Sequence, residues 1–83
     1  MGLEENMLTE KLRAIIAREL DLPEGSVAAD ASAEALEAWD SLGHMKLIMA
    51  VEQEFSVRFA TAEIPALTSV EKLVAALGEK GVR

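Results

Sequence analysis

Ser41 and His44 stand three residues apart in the stretch Glu37-Ala38-Trp39-Asp40-Ser41-Leu42-Gly43-His44-Met45. On a helix that spacing puts a hydroxyl and an imidazole on one face, where they could work as nucleophile and base. Hydrolysis needs further parts. There is no G-x-S-x-G elbow, and no carboxylate is spaced to orient His44. A chain of 83 residues also leaves little room for a substrate cleft. No catalytic residue is assigned, and the chain is not expected to be an enzyme. His44 reads instead as a helix-surface or partly packed residue. As the single histidine in a chain without cysteine it is a poor metal ligand. Asp21, Glu24 and Asp30 lack the spacing of a calcium loop, so no metal site is expected.

Asp40-Ser41 has a second chemistry. An Asp-Ser pair directly before a helical pattern marks a helix start, where either side chain can accept from backbone N–H groups that have no partner inside the helix. Those N–H groups and the positive end of the helix dipole also favour an anion. Ser41 is therefore either a cap or the place where a phosphate is carried.

The elements that would position this pair follow from apolar spacing. Leu8, Leu12, Ile15 and Ile16 form one stripe, so a first helix is expected over about Leu3 to Leu20, with Met7 and Leu20 also in the core. Glu4, Glu5 and Glu10 toward its start and Arg13 and Arg18 toward its end suit the dipole. Leu22-Pro23 closes it. From Glu19 to Asp40 there are seven acids and no base, with little large apolar content. This reads as a long, solvated acidic loop holding at most a short helical turn, pinned to the core by Val27, Leu36 and Trp39.

A second helix is expected from Ser41 to about Phe55. At about 100° per residue, Leu47, Ile48, Val51 and Phe55 share a stripe, and Leu42, Met45 and Met49 share the adjoining one. The combined face is wider than a surface helix needs, so this helix is either central or keeps apolar surface for a ligand or partner. Beyond it, Val57 and Phe59 point inward, and Thr61 opens a short turn through Ala62-Glu63-Ile64, with Pro65 confined to a first turn. Thr68-Ser69-Val70-Glu71 fits a capping box with Thr68 as cap. Val70, Leu73, Val74 and Leu77 make the last stripe, which Gly78 or Gly81 ends near Lys80 and Arg83. The expected fold is all-α: a four-helix bundle with three main helices, one short third helix and a long acidic first loop. Residues 1–83 are read as one domain.

Composition excludes several partners. A net charge of −7 with 4% aromatic residues argues against nucleic acid and anionic membranes, and favours basic protein surfaces. No apolar run approaches a membrane span, and Met1 to Met7 shows no targeting pattern, so the cytoplasm is the expected location.

Trp39-Asp40-Ser41-Leu42 followed by Leu47-Ile48-Met49-Ala50-Val51-Glu52-Gln53-Glu54-Phe55 resembles the acyl carrier protein family. In that family an Asp-Ser-Leu triplet opens the second helix, and the resemblance extends over nearly the whole chain. It implies a 4′-phosphopantetheine arm joined to Ser41 by a separate phosphopantetheinyl transferase. It also implies acyl or aminoacyl cargo held as a thioester on the arm's thiol, so the chain needs no cysteine. Asp40 would orient the transferase, and Leu42, Met45 and Lys46 would meet partner enzymes: loading ligases and downstream transferases or synthases. The chain is expected to act as a monomer. Family members serving fatty acid synthesis carry acids two and five residues after the serine, on the exposed face of the helix. Here Gly43 and Lys46 stand there, which points to a specialised lipid, polyketide or aminoacyl pathway. The competing reading is a small helical adaptor without a covalent arm.

Overall fold

The computed structural model describes residues 3–82, without the side chains of Leu3–Asn6. Glu4 and Glu5, expected on the first turn, and Arg83, expected at the end of the last helix, therefore lie outside the described side chains. Three α-helices form: α1 (Leu3–Glu19), α2 (Ser41–Phe55) and α3 (Val70–Glu79). The short fourth element is a single 3-10 turn, Ile64–Ala66, with Pro65 inside it. It follows directly on a hydrogen-bonded turn over 61–63, so the turn expected through Ala62-Glu63-Ile64 is present and runs on to Ala66. Ala60 N–H donates to the Glu63 carboxylate there, so Glu63 organises the turn.

Leu12, Ile16, Leu47, Ile48, Val51, Val70, Leu73 and Leu77 interdigitate in the core. α1 packs on both α2 and α3, more extensively than those two pack on each other. The central helix is therefore α1, and α2 takes the other course open to its wide apolar face: Leu42, Met45 and Met49 remain exposed. Met7, expected in the core, is exposed as well, because it lies outside the stripe that Leu8 and Leu12 bury.

Each helix ends in the same way. Asp21, Ser56 and Gly81 adopt left-handed φ values of 59°, 55° and 87°. The following N–H of Leu22, Val57 and Val82 then reaches back to the carbonyls of Ala17, Glu52 and Leu77. This reversal satisfies carbonyls that the helix leaves free. It also ends α1 before Pro23 is reached. Gly81, rather than Gly78, is the residue that turns the chain after α3.

The acidic segment between α1 and α2 holds no helix, yet it is well anchored. Val27 and Trp39 are buried, and Leu36 packs against the core. Arg13 on α1 donates to the Val27 carbonyl while pairing with Glu10. Ala33 N–H donates to the Thr68 carbonyl at 2.9 Å and Val70 N–H to the Ala31 carbonyl at 3.0 Å, tying the loop to the start of α3. That start is capped by Ser69, whose hydroxyl accepts from Lys72 N–H, so the cap is one residue later than Thr68. Thr68 spends its backbone carbonyl on the loop instead.

On the far side, Phe59 N–H donates to Glu52, and the Lys80 ammonium lies 5.3 Å from the Phe59 ring centre. The Ala60 N–H holds the Glu63 carboxyl below its usual value of 4.5, against an opposing effect of desolvation and with the Lys80 ammonium assisting. A carboxyl depressed in the folded state contributes stability at neutral pH and loses it as the pH falls through its folded value. The stability difference between the wild type and Glu63→Gln, followed by urea midpoints, is therefore expected to shrink on acidification below the ordinary carboxylate range. A difference independent of pH would contradict this assignment.

Candidate functional site

Asp40 settles which residue caps α2. Its backbone is extended, with φ −93° and ψ −169°, and its Oδ1 accepts from Gly43 N–H at 2.8 Å. Its carbonyl accepts from His44 N–H at 2.7 Å. The cap being made, the Ser41 hydroxyl is not needed for it, and Ser41 stands exposed as the first residue of the helix. By helix geometry the N–H groups of Ser41 and Leu42 precede the first intrahelical bond and face outward along the axis. Asp40 takes the capping role, and the Ser41 hydroxyl is left without it.

Behind this rim the chain is tightly built. Trp39 is 3% exposed, and its indole N–H donates to His44 Nδ1 at 2.9 Å. The two rings stack with centroids 6.2 Å apart. Because Nδ1 accepts, the proton of the neutral ring sits on Nε2, which donates to the Ile64 carbonyl at 2.9 Å. One imidazole therefore ties together the end of the acidic loop, the first turn of α2 and the 3-10 turn. Both ring nitrogens are engaged, and neither is free to take a proton from Ser41. His44 is the residue whose role the sequence hid. Its signal was indirect: a buried indole N–H needs an acceptor, and Glu37, Asp40, Ser41 and His44 all offer one within five residues of Trp39, so the sequence alone does not single out His44.

Gly43 is buried beneath the loop. A Cβ there would lie 2.5 Å from the Ala38 carbonyl oxygen and 2.8 Å from a methyl of Leu20. The position expected on the exposed face of the helix is instead covered by Ala38, so any side chain added there meets the loop. Lys46 is exposed as expected and shares a groove with Arg18, Glu19, Met49 and Glu54, while Leu42 and Met45 crown the helix near Ser41. The structure thus gathers Asp40, Ser41, Leu42 and Met45 at one end of α2, with Lys46 one turn further on.

A family model described as a phosphopantetheine attachment site matches residues 10–77, which spans the whole of this site. The chain is similar over 79 residues to an acyl carrier protein of Thermosynechococcus vestitus, at 35% identity covering 94% of this chain and 96% of that protein. It is similar at 38% identity to an acyl carrier protein of Akkermansia muciniphila, covering 88% and 91% of the two chains. An acyl carrier protein 3 of Ralstonia nicotianae is 33% identical over 89% of this chain and 90% of its own. The chain belongs to the acyl carrier protein family.

The prosthetic group of the acyl carrier family is covalent 4′-phosphopantetheine, and the end of α2 fits it. A phosphodiester requires an exposed hydroxyl, neutral donors for its charge, and free space beyond. Ser41 is exposed, the first-turn amides supply donors, and a cleft of about 320 Å³ opens beside it. When bound, the group supplies a terminal thiol that can hold a thioester.

Proposed function

We propose that the chain holds acyl or aminoacyl groups as thioesters on a 4′-phosphopantetheine arm attached to Ser41, and presents them to partner enzymes. The observation that carries this reading is the division of labour at the start of α2, where Asp40 makes the cap and leaves the Ser41 hydroxyl open to solvent. Activation of that hydroxyl belongs to a separate transferase, because His44 has both nitrogens in use. The chain itself is then non-catalytic and works as a monomer among cytoplasmic enzymes. Among the described residues no helix is long and apolar enough to cross a membrane.

The test is intact mass after incubation with a promiscuous phosphopantetheinyl transferase and coenzyme A. The wild type is expected to gain one arm per chain and Ser41→Ala none. A wild type that gains nothing would leave the adaptor reading in its place.

Partners are expected to meet Leu42, Met45 and Lys46, with Asp40 orienting the transferase. Lys46 borders a groove that also holds Glu54 and the Arg18–Glu19 ion pair, so the positive charge it adds is local to its own position. Lys46 is then the surface departure that directs the carrier to a specialised pathway. One exposed charge pair contributes about 0.2–1 kcal/mol, which corresponds to an effect of up to about five-fold. Lys46→Glu is expected to improve turnover by ordinary fatty-acid-synthesis enzymes by that factor. Unchanged or poorer turnover would count against this role.

A further inference from the structure

The cleft beside Ser41 is lined by Ala33, Trp39, Asp40, Ser41, His44 and Thr68. Its walls are fixed before anything binds. Ala33 and Thr68 are joined by a backbone hydrogen bond, and Trp39 and His44 by the indole–imidazole bond. The ring nitrogens of Trp39 and His44 are consumed by those bonds and by the Ile64 carbonyl, so the cleft meets mainly carbon, from the half-buried His44 ring and from the small part of Trp39 that its 3% exposure leaves open. Ala33 adds a methyl, and Thr68 adds a methyl and a hydroxyl. The lining holds no cation and one carboxylate, which disfavours an anion inside it. A fitting occupant is neutral, compact, largely apolar and able to make a polar contact at one side.

Resting on the carrier reading, the geometry points to this cleft as a seat for the pantoyl segment of the prosthetic arm. That segment follows directly after the phosphate, so attachment at Ser41 brings it to the mouth of the cleft. It carries two methyl groups on one carbon, then a hydroxyl and an amide. The methyls match the Ala33, Trp39 and His44 surfaces, and the adjoining hydroxyl or amide lies on the Thr68 side. The phosphate stays outside, at the first-turn amides and away from Asp40. Seating the base of the arm narrows the directions from which the thiol leaves the carrier. That confinement aims the cargo while the distal part of the arm stays free, and it reduces the entropy a partner must remove on docking.

The test uses holo-protein without cargo, prepared with coenzyme A whose pantoyl methyls are ¹³C-labelled. Nuclear Overhauser contacts are expected from those methyls to the Trp39 ring and the Ala33 methyl, with the two methyl signals separated by the ring current. Ala33→Leu, which fills the cleft, is expected to accept the arm by mass and keep its helical circular dichroism. Its methyl signals should collapse to those of free coenzyme A. Methyls that already resemble free coenzyme A in the wild type would overturn the proposal, whatever the variant does. So would contacts that appear only after acylation, since these would assign the cleft to cargo. A wild type that takes up no arm removes the carrier reading as well, whereas an attached but unseated arm removes this inference alone.

Discussion

Gly43→Asp is expected to destabilise the protein by about 3–5 kcal/mol, the cost of leaving a charge buried without a partner. Even the smaller Gly43→Ala replaces a hydrogen with a Cβ 2.5 Å from the Ala38 carbonyl oxygen. The Leu20 methyl at 2.8 Å can rotate away, but a backbone carbonyl cannot move without its neighbours. Ala38 is followed by the buried Trp39 and then by the capping Asp40, so shifting it disturbs the whole entrance to α2. Overpacking of this kind costs about 1–3 kcal/mol, and alanine recovers up to about 1 kcal/mol through helix propensity. Aspartate has no such recovery, and it adds a carboxylate next to the Ala38 carbonyl and the Asp40 carboxylate. Urea denaturation of the apo-protein reads the difference directly. Stability within about 1 kcal/mol of the wild type, below the lower bound of that burial cost, would show that the loop over Gly43 lifts at little cost. The acid missing from this position would then be a matter of charge after all. The expected result matters for function: of the two departures from the acidic pattern, only Lys46 would remain a choice made for partners.

His44→Ala is expected to cost about 2–3 kcal/mol. The substitution strands the Trp39 indole N–H, which is buried, and releases the Ile64 carbonyl. Each buried group left without a partner costs about 1–3 kcal/mol, and the Ile64 carbonyl recovers part of its share from solvent. Trp39 is the only tryptophan, so its emission reports the same event without a label. A red shift, together with faster amide exchange in Ile64–Ala66, is the expected signature of a 3-10 turn no longer held to α2. His44→Gln keeps an acceptor and a donor on a side chain of similar reach, and should recover part of the loss. A variant with unchanged stability and unchanged emission would remove the imidazole as the link between these segments.

Much of the architecture was legible because the helices announce themselves locally. The stripes of α1, α2 and α3 are periodic over several turns, and the acidic stretch before Asp40 lacks the apolar residues to build a helix. The errors fell where a choice between adjacent candidates depends on distant atoms. The capping-box spacing to Glu71 favoured Thr68 in sequence, but the Thr68 carbonyl is held by Ala33 N–H and Ser69 takes the role. Met7 borders the α1 stripe and looked internal, yet among the described residues no neighbouring element covers it.

At the site, residue types alone were enough to mark Asp40-Ser41 as a helix start able to accept a phosphate, since capping and anion binding use the same free amides. The sequence also sufficed to show that α2 carries more apolar surface than one contact can bury. Only the tertiary structure decided which residue of the pair caps, which helix is central, and which part of the α2 face stays open. It alone revealed that Gly43 lies beneath a loop and that His44 joins three segments. Those outcomes depend on where a carbonyl or an indole arrives from another part of the chain. Spacing along one helix records its own periodicity, and holds no record of what approaches it through space.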